Sequence, residues 1–521
     1  MNYLPYMKYS DSIQENTQSV FGGLNHRSGA SDGEIYNMKN LTSDEYPLLT
    51  SRLPRSSSKV QLNGIYALDG LLTVEGTLVK YKGKEVGTVK DSEKTISALG
   101  SKIVILPDKV YYDTATEEGT LIPIEAKWEG SATICDGKYA GVDAKANTIK
   151  RSDTSPDFTT LFKTGDAVTI SGAYEDDNNI TIIIREISSD ELRFYENSFT
   201  TNDSATVEEL TISRKMPDMD FICENDNRLW GCKGDTVYAS KLGDVTNWNV
   251  FDGLASDSYA VDVGSPGDFT GCITYLGYPI FFKEDVIYKV YGSLPSNFEL
   301  IRSASLGVAK GSHKSLAIAG EICFYMSRTG IVAYSGSTPQ DVFLSFGLDK
   351  YTNAVGGSDG RKYYVSMQDK NGEWILAVYD TSFNMWHIED NTKAIAMVYA
   401  DALYIAGENE LIKVSDENAN EGDFESIAEF APFTYGTQNK KGVSKIGIRC
   451  ETEVNATVSV QIKYDSKGEW QEVRTLSGTT KRSFYLPVIP RRCDHFSLRF
   501  VGKGKWRLYS ITKEYYYGSK N

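Results

Sequence analysis

Apolar and polar positions along this chain alternate in short runs, and the runs recur. The recurring unit is an apolar strand, a turn, a second apolar strand, another turn, and then an apolar-Tyr-x-apolar segment, repeating about every 40–45 residues. The clearest copies are Thr270–Gly292 (TGCITYLGYPIFFKEDVIYKVYG) and Lys314–Gly336 (KSLAIAGEICFYMSRTGIVAYSG). Thr95–Asp113, Asp220–Ser240 and Lys393–Val414 keep the same order, and Leu62–Tyr81 and Arg361–Ile388 complete a set of about seven. A unit of two or three strands cannot bury its apolar face alone, so such units must stack. Four-stranded repeats of this period close radially, which predicts an all-β chain built on a β-propeller of about seven blades.

The period breaks between Glu125 and Met216. That stretch has strand signals of its own at Asp166–Gly172, Ile180–Ile187, Glu191–Glu196 and Ala205–Ser213, separated by turn clusters such as Glu175–Asn179 (EDDNN). It reads as a small β-domain inserted between two repeats. Before the repeats, residues 1–58 are rich in Gly, Ser, Asp and Asn and read as an extended arm rather than a core element. Its spaced apolar residues, among them Phe21, Leu24, Ile35, Met38, Leu41 and Leu49, suit an arm pinned across another surface. After the repeats, the acidic stretch 417–425 leads into about six alternating strands, the pattern of a β-sandwich. The predicted order is an arm (1–58), a first propeller part (59–124), an inserted β-domain (125–216), a second propeller part (217–416) and a basic C-terminal β-sandwich (417–521).

Composition adds a charge asymmetry. The net charge is −15, yet residues 440–521 hold 17 Lys and Arg against 7 Asp and Glu, a balance of +10 that leaves −25 on the remainder. The bland reading is two domains with different surfaces. The sharper one is a basic domain that docks an acidic neighbour, in which Arg491, Arg492, Lys503, Lys505 and Arg507 are the candidate interface. Alternation places Lys503, Lys505 and Arg507 on one face of a strand. A nucleic-acid platform would need aromatics on that face, and Trp506 alternates out of it. The seven cysteines are odd in number and lie mostly in apolar strands, which favours reduced, buried thiols and a cytoplasmic folding compartment. No apolar run is long enough for a membrane-spanning helix, and the first residues lack the pattern of a signal peptide.

Candidate chemistry is sparse. His26, His313, His387 and His495 form neither a metal-binding spacing nor a partner set for a nucleophilic serine, and no phosphate-cradling loop occurs. Asp369–Trp374 and Asp465–Trp470 share D-x-x-G-x-W, which reads best as a hairpin turn. No catalytic, cofactor-binding or metal-ligating residue is assigned, and the chain is expected not to be an enzyme.

A resemblance sharpens the reading. Asn227-Arg228-Leu229-Trp230, Val237-Tyr238-Ala239-Ser240 and Leu242-Gly243-Asp244-Val245-Thr246-Asn247-Trp248 resemble a run in bacteriophage tail proteins of the nozzle or tail-tubular group. Val286–Gly292, Leu294–Phe298, Phe324–Gly330 and Val332–Ser335 are similar to later segments of the same proteins. Asp32–Asn40, with Tyr46–Leu49 and Arg52, resembles the opening of structural proteins of gut Firmicutes phages. The motif residues carried over are Tyr238, Ser240, Gly243, Asp244, Asn247 and Trp248, with a structural role. The resemblance implies a virion protein assembled in the host bacterial cytoplasm, a propeller subunit of a homohexameric ring below the portal and adaptor. Its partners would be further copies of itself, the portal, adaptor and other tail proteins, and double-stranded DNA passing without specific binding. The basic C-terminal domain departs from the group, so a collar or tail-tip position stays open. An acidic channel wall would repel DNA phosphates and let the duplex slide. A heterologous ring needs two complementary surfaces per copy, which the −25 and +10 portions could supply. The alternative is a receptor- or glycan-binding propeller at the tail tip. A third reading, a glycan-cleaving enzyme, would need paired carboxylates about 5–10 Å apart.

Overall fold

The computed structural model describes residues 14–27, 30–116, 119–200, 206–416, 419, 421–422, 424–436, 440–488 and 491–517. The chain divides into two compact units, Gln61–His313 and Met1–Val60 with Lys314–Asn521. Among the described residues almost all regular structure is strand, in many separate antiparallel sheets.

The unit Gln61–His313 holds four four-stranded sheets in which each strand pairs with the next. They begin at Leu62–Ala67, Thr95–Leu99, Phe221–Asn225 and Gly271–Tyr275 and end at Lys84–Thr88, Ile122–Pro123, Tyr259–Asp262 and Glu299–Ala304. Tight hairpins set this order. Asp226 and Asn227 both take positive φ, a mirror-image turn whose twist matches the flanking strands. The second strand of the fourth sheet, Tyr278–Lys283, is buried at every position after the first, which is why it reads as a continuous apolar run. Successive sheets share cores. Leu72 and Val74 pack with Ile103 and Ile105, Leu99 and Leu106 with Ile222 and Leu229, and Trp230 and Cys232 with Phe281 and Val290.

Between the second and third of these sheets lies a seven-stranded sheet. Its order is Thr181–Ile183, Ala167–Ser171, Val207–Arg214, Ala126–Tyr139, Val142–Arg151, Glu191–Arg193 and Glu186–Ile187. It closes over its own core of Trp128, Ile149, Phe158, Phe194, Leu210 and Ile212. Its longest hairpin, Ala126–Tyr139 with Val142–Arg151, escapes a hydrophobicity reading because small residues such as Ala132, Ala144 and Ala146 fill the inward positions.

The other unit holds three more four-stranded sheets. One runs from Ala317–Ala319 to Gln340–Asp341 and the next from Tyr351–Ser358 to Met385–Ile388. The third has Ala394–Tyr399, Leu403–Gly407 and Glu410–Lys413, and its fourth strand is Ser56–Lys59 from the other end of the chain. Asp369–Trp374 is a hairpin turn, with the Asp369 carboxylate accepting from the Asn371 and Glu373 N–H groups at 2.8 and 2.9 Å.

Residues 1–58, expected as an extended arm pinned by its apolar residues, add strands to two further sheets in their described part. Gln14–Gln18, Leu41–Thr42 and Leu49–Ser51 join a sheet with Trp506–Tyr517, Lys441–Thr452, Arg482–Leu486 and Arg492–Cys493. Ile35–Lys39 joins a second sheet with Glu425–Phe430, Phe496–Lys503, Thr457–Tyr464 and Gln471–Ser477. Phe21, Leu24, Ile35, Met38, Leu41 and Leu49 are all buried. The two sheets meet at Trp506, whose indole lies 6.4 Å from Phe500 and donates to Ser426 Oγ at 2.7 Å. Gly502 makes room, because a Cβ there would fall 2.1 Å from the indole nitrogen. The low apolar density of 1–58 hid this role, since its few apolar residues are completed by strands hundreds of positions away.

Candidate functional site

The motif Tyr238–Trp248 becomes a lock between two sheets. Tyr238 lies half-buried on Thr236–Ala239, opposite Gly231 and Ala260. The Ser240 hydroxyl accepts from the Leu229 N–H at 3.0 Å and donates to the Lys241 carbonyl at 3.1 Å. The Gly243 N–H donates to the Asn227 carbonyl at 2.8 Å, which folds the next loop back on the hairpin. Asp244 caps that loop. Its carboxylate accepts from the Thr246 N–H at 2.9 Å, the Thr246 hydroxyl at 2.6 Å and the Asn247 amide at 2.7 Å, and it lies 3.2 Å from Lys163. Burial alone would raise its pKa, but these donors hold it well below the usual carboxylate range. Trp248 is buried with Leu99, Met219 and Leu229, and its indole donates to the Val245 carbonyl at 2.9 Å.

Asn247 reaches the inserted sheet. Its amide donates to Asp166 Oδ1 at 2.9 Å and accepts from the Ala167 N–H at 3.0 Å. Asp166 is fully buried and pairs with Arg214, whose guanidinium also donates to the Ile124 carbonyl at 3.1 and 3.2 Å. All six carried-over residues therefore act within one fold element or at its seam, and the arrangement offers positioning rather than acid–base or nucleophilic chemistry. Asp166 and Arg214, the other half of the lock, carry no signal in the sequence because they lie about 70 and about 25 residues before the motif begins.

The candidate basic interface divides. Lys503, Lys505 and Arg507 do not share one strand face. Lys503 ends Phe496–Lys503, Gly504 turns the chain at a φ of +72°, and Arg507 belongs to Trp506–Tyr517 in the other sheet. Lys505 lies 3.7 Å from Glu45, and the Arg507 guanidinium grips the same carboxylate with two N–H groups, one at 2.8 Å. These two cations are taken up inside their own unit. Arg491, Arg492 and Lys503 are exposed, with the Arg491 guanidinium 5.4 Å from the Tyr464 ring.

Two charge clusters, each holding a buried cation, fasten the N-terminal segment in the same unit. Arg52 clasps Glu421 at 2.6 and 2.7 Å, while Arg55 pairs with Glu389 and, at 2.7 Å, with Asp390. Burial would lower the Arg55 pKa, and Glu389 and Asp390 more than offset this. Asp44 receives Lys362 at 2.7 Å and Arg361 at 2.7 Å, and Ser43 donates to the buried Asp380 at 2.5 Å. Near them His387 is buried, and burial together with Lys362 pulls its pKa down to about 3. All seven cysteines are free thiols. Among the described residues no cluster of His, Cys, Asp and Glu could hold a metal ion, and no helix is long and apolar enough to cross a membrane.

No family model matches the chain, and no curated protein matches it. Among solved structures it is similar to PorZ, an essential bacterial surface component of the type-IX secretion system of Porphyromonas gingivalis. The identity is 11%, the TM-score 0.27, and the match covers 88% of this chain and 89% of that one. It is also similar to an exo-beta-1,3-galactanase from Phanerochaete chrysosporium, at 6% identity and a TM-score of 0.21 over 56% and 94% of the two chains. A third is Trypanosoma rangeli sialidase, at 9% identity and a TM-score of 0.21 over 96% of each. Similarity at these scores bears on neither activity nor ligand.

Proposed function

We propose that the seven four-stranded sheets are the blades of one β-propeller and that the chain is a virion structural protein, a subunit of a nozzle-like tail ring around a DNA exit channel. The supporting observation is the strand Ser56–Lys59. It completes the sheet of Ala394–Lys413, and two residues after it the chain enters Leu62–Ala67, the first strand of the first repeat. A strand that leaves the last sheet and leads into the first is how a radial array is tied shut, because it removes the two free sheet faces an open array would expose. The nozzle role itself rests on the likeness of Asn227–Trp248 and Asp32–Asn40 to phage tail proteins and on the charge split.

In this reading the propeller comprises 59–124 and 217–416, and the inserted sheet of 125–216 is anchored to it by Asn247. Arg491, Arg492 and Lys503 form the basic surface that meets an acidic face of the next copy, and the portal and adaptor lie above the ring. The long-range part of that attraction acts over about 8–10 Å at physiological salt. Native mass spectrometry and negative-stain images of the purified chain test it. Rings with a central channel are expected; a strict monomer, alone and with the adaptor, refutes it.

A further inference from the structure

Lys283 ends the buried strand Tyr278–Lys283 and is only 3% exposed. Its ammonium donates to the Ser265 carbonyl at 2.7 Å and lies 5.0 Å from the centre of the Phe269 ring. Of the four other buried lysines, Lys94 meets Asp108 at 2.5 Å, Lys362 meets Asp44 at 2.7 Å and Lys513 meets Asp32 at 3.0 Å, while Lys441 donates to the Asp494 carbonyl. Among the described residues no carboxylate lies within ion-pair distance of Lys283. Burial draws its pKa below the usual lysine range, and Asp235 and Asp268 act on it only from a distance. A buried ammonium left in this way is costly and calls for a compensating group.

Lys283 lines a cavity of about 550 Å³, inside the ~300–1,000 Å³ range of small-molecule sites. Asp220, Phe221, Asp268, Phe269 and Glu284 share it. They come from one end of two neighbouring sheets: the start of Phe221–Asn225, the segment entering Gly271–Tyr275, and the turn after Tyr278–Lys283. The mixture of charges selects the ligand. A cation would face Lys283 and the exposed Lys310, and an anion would face the four exposed carboxylates of Asp220, Asp268, Glu284 and Asp285. A neutral polyol suits both, because a hydroxyl donates to a carboxylate and accepts from an ammonium. The half-buried Phe221 offers a surface for the C–H face of a sugar ring.

We propose that this cavity binds a neutral saccharide, with Lys283 as donor, Asp268 and Glu284 as acceptors and Phe221 as the stacking face. The proposal does not rest on the ring. Saturation-transfer NMR on the full chain with cellotriose, maltotriose and triacetylchitotriose tests it. Transfer to at least one of the three is expected, and Asp268→Ala is expected to weaken that affinity by about ten-fold, as for loss of a hydrogen bond to a charged group. Asp268 and Glu284 are exposed, so Asp268→Ala and Glu284→Ala preserve the fold even where Lys283→Met does not. Absence of transfer with all three, or binding unchanged in both acidic variants, overturns the site. A ring that binds no sugar overturns the site alone; a monomer that binds one supports it.

Discussion

Replacing Asn247 with alanine tests whether the tail-like motif is a lock. The amide donates to Asp166 at 2.9 Å and to Asp244 at 2.7 Å, and it accepts from the Ala167 N–H at 3.0 Å. Asn247 is 1% exposed and Asp166 is fully buried, so water cannot replace these bonds without opening the seam. Each bond contributes on the order of 1 kcal/mol net, and each buried group left unmet costs about 1–3 kcal/mol. Asn247→Ala leaves the Ala167 N–H unmet and strips one donor from Asp166, so the loss is about 3–5 kcal/mol. The loss should fall on the seam first. Urea denaturation monitored by tryptophan fluorescence should show a lower midpoint, because Trp128 lies in the core of the seven-stranded sheet and Trp248 belongs to the motif. Limited proteolysis should cut first between the inserted sheet and the repeats. Asn247→Asp keeps the shape but sets a third carboxylate beside Asp166 and Asp244, and should cost at least as much. A loss under about 1 kcal/mol, or one without new cleavage at the seam, would refute the lock.

Three further outcomes rest on the same geometry. His387 has a folded pKa of about 3 against 6.5 unfolded, so the unfolded chain binds more protons between those values. The stability it permits is complete above pH 6.5 and falls by about 1.4 kcal/mol per pH unit below it; His387→Phe should remove that slope between pH 6.5 and 5, and an unchanged slope in thermal melts contradicts the assignment. The Glu45–Arg507 pair is about three-quarters buried on each side, and a double-mutant cycle should give a coupling of about 0.5–1 kcal/mol; zero coupling would mean the pair does not hold the N-terminal segment. Joint reversal of Arg491, Arg492 and Lys503 to Glu should abolish ring assembly with the circular dichroism spectrum unchanged, and normal rings in native mass spectrometry would discard that surface.

Local pattern and long-range closure divide cleanly in this chain. Thr270–Gly292 and Lys314–Gly336 announce their sheets because a hairpin turn and its two apolar strands are neighbours in sequence. The turn reading of Asp369–Trp374 needed only Asp369 and the backbone around it. The inserted sheet was visible through Ala167–Ser171 and Val207–Arg214, while its Ala-filled hairpin was not. The basic residues misled, because alternation assumes one continuous strand and Gly504 breaks it.

By itself the sequence determined the all-β class, the recurring sheet unit, the break in that recurrence after Glu125 and the charge split, since each depends on residues close together in the chain. Tertiary structure alone decided that Ile35–Lys39, Leu41–Thr42 and Leu49–Ser51 are strands of the two C-terminal sheets, that Glu45 occupies Lys505 and Arg507, that Asn247 meets Asp166, and that Lys283 lies at a cavity without a carboxylate partner. Each of these joins segments whose own composition is ordinary. Burial and hydrogen bonding between such segments depend on where the backbone brings them, and no local propensity encodes that.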